Sequence, residues 1–76
     1  MKSFNIMLDS INKVKSFVNI VAKCDYDVDL TSGRYVVDAK SIMGIFSLDL
    51  SKPIKIDIHS DNCGEFEAEI KDFIVE

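Results

Sequence analysis

The run Ile54-Lys55-Ile56-Asp57-Ile58 alternates apolar and polar residues without a break. Successive side chains of an extended strand point to opposite faces, so three isoleucines fall on one side and a lysine and an aspartate on the other. A strand of this kind belongs to a sheet with one dry and one wet face. The dry face needs a cover, which in a two-layer domain is a set of helices or a second sheet.

The rest of the chain chooses helices. Residues 3–8 are apolar enough for a first strand. Asp9 and Ser10 are good helix N-caps, and Ile11, Val14, Val18 and Val21 recur at helical spacing, with Phe17 and Ala22 widening the stripe. Lys13, Lys15 and Asn19 take the outer face, which predicts an amphipathic helix ending near Cys24. Tyr26-Asp27-Val28-Asp29-Leu30 alternates as a second strand. Thr31-Ser32-Gly33 is turn chemistry, and residues 34–38 return as the partner strand. Ser41 caps a short apolar helix from residue 42 to about 48, in which Gly44 lowers helix propensity. Ser51-Lys52-Pro53 interrupts the chain, and Pro53 is compatible only with the start or edge of a strand.

In the last segment Phe66, Ile70, Phe73 and Ile74 share one helical face. Glu67 and Lys71 make an i, i+4 pair, and Glu65, Glu67, Glu69 and Asp72 read as a solvated acidic face. The predicted order is β-α-β-β-α-β-α: a four-stranded sheet with helices on one face, an open-faced α+β sandwich. No linker, repeat or low-complexity stretch divides residues 1–76, so the expectation is a single domain. A chain this short buries only about 60% of its unfolded surface, and its stability is expected to be a few kcal/mol.

The formal net charge of −4 argues against nucleic acid, which requires a basic face. No apolar run approaches the ~18 residues of a membrane span. The first residues lack the apolar region and cleavage site of a signal peptide, so the expected location is cytoplasmic. Cys24 and Cys63 lie far apart in the sequence with no C-x-x-C spacing and read as reduced structural thiols. With His59 they make too few ligands for a metal site. No nucleophile–base pair, metal set or phosphate loop points to an enzyme, and no cofactor is implied.

Val37-Asp38-Ala39-Lys40-Ser41-Ile42-Met43-Gly44-Ile45-Phe46-Ser47-Leu48 resembles the central motif of the HPr proteins of the sugar phosphotransferase system. Phe17-Val18, Lys23, Asp25, Asp27-Val28 and Leu30 fall where such chains carry similar residues, in a gapless register over residues 8–58. The resemblance implies the HPr fold, with an antiparallel sheet in the order 1-4-2-3.

The same register places Leu8-Asp9-Ser10-Ile11-Asn12-Lys13-Val14 where HPr proteins carry Gly-Leu/Ile-His-Ala-Arg-Pro-Ala. The phosphate-carrying histidine is replaced by Ser10, the arginine by Asn12 and the proline by Lys13. A phosphoimidazole is high in energy and passes its phosphoryl group on, whereas a serine ester does not. Ser10 also has no sequence neighbour to act as its base. Ser10 therefore reads as a helix cap, and His59 as a strand-end residue.

Ser41 matches the serine that a dedicated HPr kinase phosphorylates in many Gram-positive bacteria, and a plain N-cap is the equal alternative. Ile42, Met43 and Phe46 match the apolar positions that HPr proteins present to partners, with Phe46 standing where methionine is usual. Residues i, i+1 and i+4 of one short helix cannot all point inward, so at least one is expected to be exposed. Asp49 and Pro53 replace usual glycines and stiffen that loop.

Three functions follow as competing expectations. The first is a non-catalytic module that binds other proteins through the short second helix, modulated by Ser41 phosphorylation. The second is a phosphocarrier using an atypical residue. The third is a paralogue with an unrelated structural or oligomeric role. The oligomeric state and the partner's identity are left open.

Overall fold

The alternating run becomes β4 (Ile54–Ile58), and its three isoleucines are fully buried. In the computed structural model, which describes residues 2–75, β4 lies inside the sheet and is paired on both edges. β1 (Lys2–Ile6) lies on one side, with Lys2 opposite Ile58 and Ile6 opposite Ile54. β2 (Val28–Ser32) lies on the other and pairs in turn with β3 (Tyr35–Asp38). The order is β1-β4-β2-β3 and every pair is antiparallel, as expected.

Three helices cover the dry face: α1 (Ile11–Val21), α2 (Ile42–Phe46) and α3 (Gly64–Ile70), the last continued by a 3-10 turn over Lys71–Phe73. α1 sends Val14, Phe17 and Val21 inward at positions i, i+3 and i+7. They meet Ile6, Leu30, Ile54, Ile56 and Ile58 of the sheet, Ile45 of α2, and Phe66 and Ile70 of α3. Phe17 packs edge-to-face on Phe73, with ring centroids 5.9 Å apart. The core holds no buried polar or charged residue among those described.

Several boundaries move from their sequence expectations. The first strand stops at Ile6, and Leu8 reaches the core from the connection that follows. α1 stops at Val21, three residues early, and its expected stripe is narrower: Ile11 is exposed, Val18 half-buried and Ala22 exposed. Val18 and Ile20 pack partly buried against the core beside the row of Val14, Phe17 and Val21. β2 starts at Val28 and takes in Thr31 and Ser32, leaving Gly33-Arg34 as a two-residue turn. Gly33 has φ +61° and Arg34 does not share that left-handed sign. This is the pattern of a type II′ hairpin turn, with glycine at its first central position.

The final face also changes. Phe66, Ile70 and Phe73 are buried as expected, but Ile74 leaves the helix and forms an extended bridge with Ile6. The Glu67–Lys71 pair is absent, because α-helical geometry ends at Ile70 and the tighter turn carries Lys71 off the i, i+4 position. Glu67 instead meets Lys2 of β1 at 3.0 Å.

Gly33→Ala is expected to cost about 1 kcal/mol, because alanine pays sterically for the left-handed backbone that this turn requires. Phe17→Ala is expected to cost about 3–5 kcal/mol, enough to unfold much of a chain this small. Urea unfolding followed by circular dichroism measures both.

Candidate functional site

The start of α1 is occupied by its own side chains. Ser10 lies in extended backbone and its Oγ accepts the Lys13 N–H at 3.1 Å, which satisfies one of the helix's free donors. Asp9 pairs with Lys13 Nζ at 3.0 Å, and that ammonium holds the Asp9 carboxyl below the usual carboxylate range. Asn12 is exposed on the same turn. These side chains supply neither an imidazole nor a guanidinium.

His59, the only histidine in the chain, is at the other end of the sheet. Its neighbour Ile58 pairs with Lys2, whereas the chain reaches Ser10 by way of Ile6, four residues along β1. That separation is ~13 Å of strand before the connection to α1 begins. His59 Nε2 lies 2.8 Å from Asp29 Oδ2, and its backbone N–H donates to the Asp27 carbonyl at 3.0 Å. The cross-strand pair with Asp29 is a contact that the sequence reading missed. The signal was present in the period-two register, which puts both residues on the wet face.

The segment around Ser41 is built from Asp38 outward. The Asp38 carbonyl accepts the Ser41 N–H at 2.9 Å, and its Oδ1 accepts the Lys40 N–H at 2.9 Å. This turn delivers Ser41 to the N-cap of α2, where Oγ accepts the Gly44 N–H at 3.1 Å. A side chain at Gly44 would sit 3.2 Å from Ser41 Oγ and 3.3 Å from Val37 Cβ. Glycine thus lets the helix lie close on β3 and keeps the cap short, which offsets its poor helix propensity. With α2 seated this way, Ile45 is buried, Ile42 half-buried, and Met43 and Phe46 are 77% and 40% exposed. All three expected partner-facing residues thus sit on α2, two of them in solvent.

A cavity of about 440 Å³ lies between the end of α1 and the start of α3, lined in part by Lys23, Cys24, Tyr26, Cys63, Phe66 and Glu69. It gathers both cysteines, 39 positions apart, which the sequence reading left unconnected because no local spacing links them. Both thiols are free. Burial pushes the Cys63 thiol up, and burial together with a hydrogen bond to Cys24 pushes the Tyr26 phenol up to about 12. These groups therefore stay protonated near neutral pH and are poor nucleophiles. No group of three or more metal-ligating side chains occurs among the described residues. No helix among them is long and apolar enough to cross a membrane.

The architecture and the Ser41 segment define an HPr-type fold. Residues 12–75 match the family described as the PTS HPr component phosphorylation site, and the chain belongs to the HPr family. The matched stretch begins two positions past Ser10. Among solved structures, HPr-C-His from Thermoanaerobacter tengcongensis is 27% identical with a TM-score of 0.79, the alignment covering 97% of this chain and 91% of that one. The phosphocarrier protein HPr from Bacillus anthracis str. Ames shares the fold at 22% identity and a TM-score of 0.71, over 97% of this chain and 94% of that one. No curated protein sequence matches the chain.

Ser10→Ala is expected to cost about 1 kcal/mol by uncapping α1, a loss readable in the urea midpoint. Tyr26 has a raised folded pKa, so its contribution to stability is fully present below pH ~10 and is lost as the pH rises towards ~12. Its phenolate absorbance at alkaline pH should appear together with unfolding, and Tyr26→Phe should flatten that alkaline loss.

Proposed function

We propose that this chain is a non-catalytic, protein-binding member of the HPr family that presents α2 to another protein of the sugar phosphotransferase system or its regulation. What carries this reading is the serine at the mouth of α1. Ser10 stands where the family's phosphate-bearing histidine belongs, and it caps the helix. Phosphoryl relay needs an imidazole there, and the chain's one histidine is engaged with Asp29 at the opposite end of the sheet.

Binding through α2 has direct physical support. Met43 and Phe46 hold apolar surface in water on a helix whose inner residue, Ile45, is already committed to the core. Half-buried Ile42 extends that surface. An unbranched methionine adapts its shape to a partner at little cost, and an aromatic ring supplies most of the buried area in such contacts. Ser41 is the regulatory position in this reading. Its side chain is exposed at the cap, so a kinase has access to the hydroxyl. A phosphate there brings ~1.5–2 negative charges beside Met43 and changes what α2 accepts.

Three measurements test the proposal. Incubation with phosphoenolpyruvate and the first enzyme of the phosphotransferase system should leave the protein's mass unchanged. A phosphorylated product would establish the atypical-carrier reading instead. With an HPr kinase and ATP, one phosphate is expected on Ser41 and none on Ser41→Ala. Failure to label would remove the switch and leave binding intact. In a titration against partner proteins of HPr, Met43→Asp should weaken binding at least ~10-fold, since truncating a central apolar contact costs more than 1 kcal/mol. Binding unaffected by Met43→Asp and by Phe46→Ala would rule out α2 as the contact.

A further inference from the structure

The two edges of the sheet are treated differently. The outer edge of β1 is covered at its Ile6 end by residues 73–75: Met7 N–H donates to the Phe73 carbonyl at 2.9 Å, and Val75 N–H to the Asn5 carbonyl at 3.0 Å. Ile6 and Ile74 form the bridge between those two bonds. The outer edge of β3 has no such cover among the described residues, where its one backbone contact is Ser41 N–H on the Asp38 carbonyl. It also carries apolar side chains in solvent, Tyr35 at 71% and Val36 at 63% exposure. Edge strands are protected against pairing by proline, a bulge or a covering segment, none of which β3 has, and by short length or charge, which β3 has only in its four residues and Asp38.

Hydrogen-bond alternation fixes which groups are available. Ala39 N–H donates to the Val28 carbonyl at 2.9 Å, which makes Leu30/Val37 and Ser32/Tyr35 the hydrogen-bonded pairs of the hairpin. The N–H and C=O of Val36 consequently point away from β2. The side chains on either side of Val36 complement their own reversal. In Arg34-Tyr35-Val36-Val37-Asp38, antiparallel pairing about Val36 sets Arg34 of each copy opposite Asp38 of the other, and Tyr35 opposite Val37. By the period of two, Asp38 lies on the face of the pleat that Val36 occupies, and Arg34 flanks the strand from the adjoining turn. Arg34 makes no ion pair among the described residues, and one Asp38 oxygen is left over after Oδ1 takes the Lys40 N–H.

We infer that β3 is a self-pairing edge: two copies of this chain join antiparallel about a two-fold axis at Val36. The two Val36 residues exchange reciprocal N–H···O=C bonds, and two Arg34–Asp38 ion pairs flank them. The result is one continuous eight-stranded sheet. The contact is isologous and uses the β3 edge of both copies, so pairing closes at two and does not propagate through β3 into a fibre.

A four-residue strand makes a small interface, so the dimer is weak and expected to be populated at protein concentrations approaching ~1 mM. Sedimentation equilibrium up to that concentration measures it. Val36→Pro removes the outward N–H without breaking a bond of the monomer, and should give a folded monomer throughout. Arg34→Asp sets like charges opposite each other and should weaken dimerisation at least ~10-fold, as should Asp38→Arg. An equimolar mixture of those two variants restores opposite charges at both positions and should recover wild-type association, provided circular dichroism shows Asp38→Arg folded. A monomeric wild type at ~1 mM overturns the inference. So does a dimer that survives Val36→Pro, or an Arg34→Asp variant that associates like the wild type.

Discussion

β4 is the element on which the other parts depend. Its inner face places Ile54, Ile56 and Ile58 under the helices, while both of its edges are spent on β1 and β2. Burying each such side chain contributes about 1.5–3 kcal/mol, a large share of the net stability open to a chain of this size. Phe17 and Phe73 then lock α1 and the end of α3 together over that isoleucine row. Since Ile74 also bridges to Ile6, residues 73–75 hold the end of the first strand in place.

The wet face of the sheet has its own organisation. Asp57 accepts the Ser3 hydroxyl at 2.6 Å and lies 3.4 Å from the Thr31 hydroxyl and 3.5 Å from Lys55 Nζ. The Ser3 bond is the main reason its carboxyl is held below the ordinary range. That stabilisation is present above the unfolded carboxylate pKa and is lost as the pH falls through the lower folded value. Next along the same row, Asp29 reaches His59. The carboxylates of Asp57 and Asp29 and the imidazole of His59 are thus occupied in tying strands together.

The exposed apolar side chains of α2 are held by a rigid seat. Gly44 brings the helix down onto Val37, Ser41 caps it, and Ile45 anchors it, so Met43 and Phe46 are held outward by a seat that admits little rearrangement. β3 lies beneath the same helix and has its free edge in solvent. Partner binding and self-pairing in this chain would therefore use adjoining parts of the molecule, one through side chains and the other through backbone.

The alternation of residues 54–58, the helical stripe of α1 and the caps at Ser10 and Ser41 were legible in the sequence because each is a local property, set by a period or by a side chain two or three positions from its partner. Ser10, Asn12 and Lys13, set by the resemblance where HPr proteins carry histidine, arginine and proline, could be named from the sequence register alone. The tertiary structure decided everything that joins distant segments. It moved Ile74 out of the last helix because β1 had an edge to cover, gave Glu67 to Lys2 in place of Lys71, paired His59 with Asp29, and gathered Cys24, Tyr26 and Cys63 around one cavity. No short-range pattern encodes such contacts, because they exist only once the strands have fixed which residues face each other.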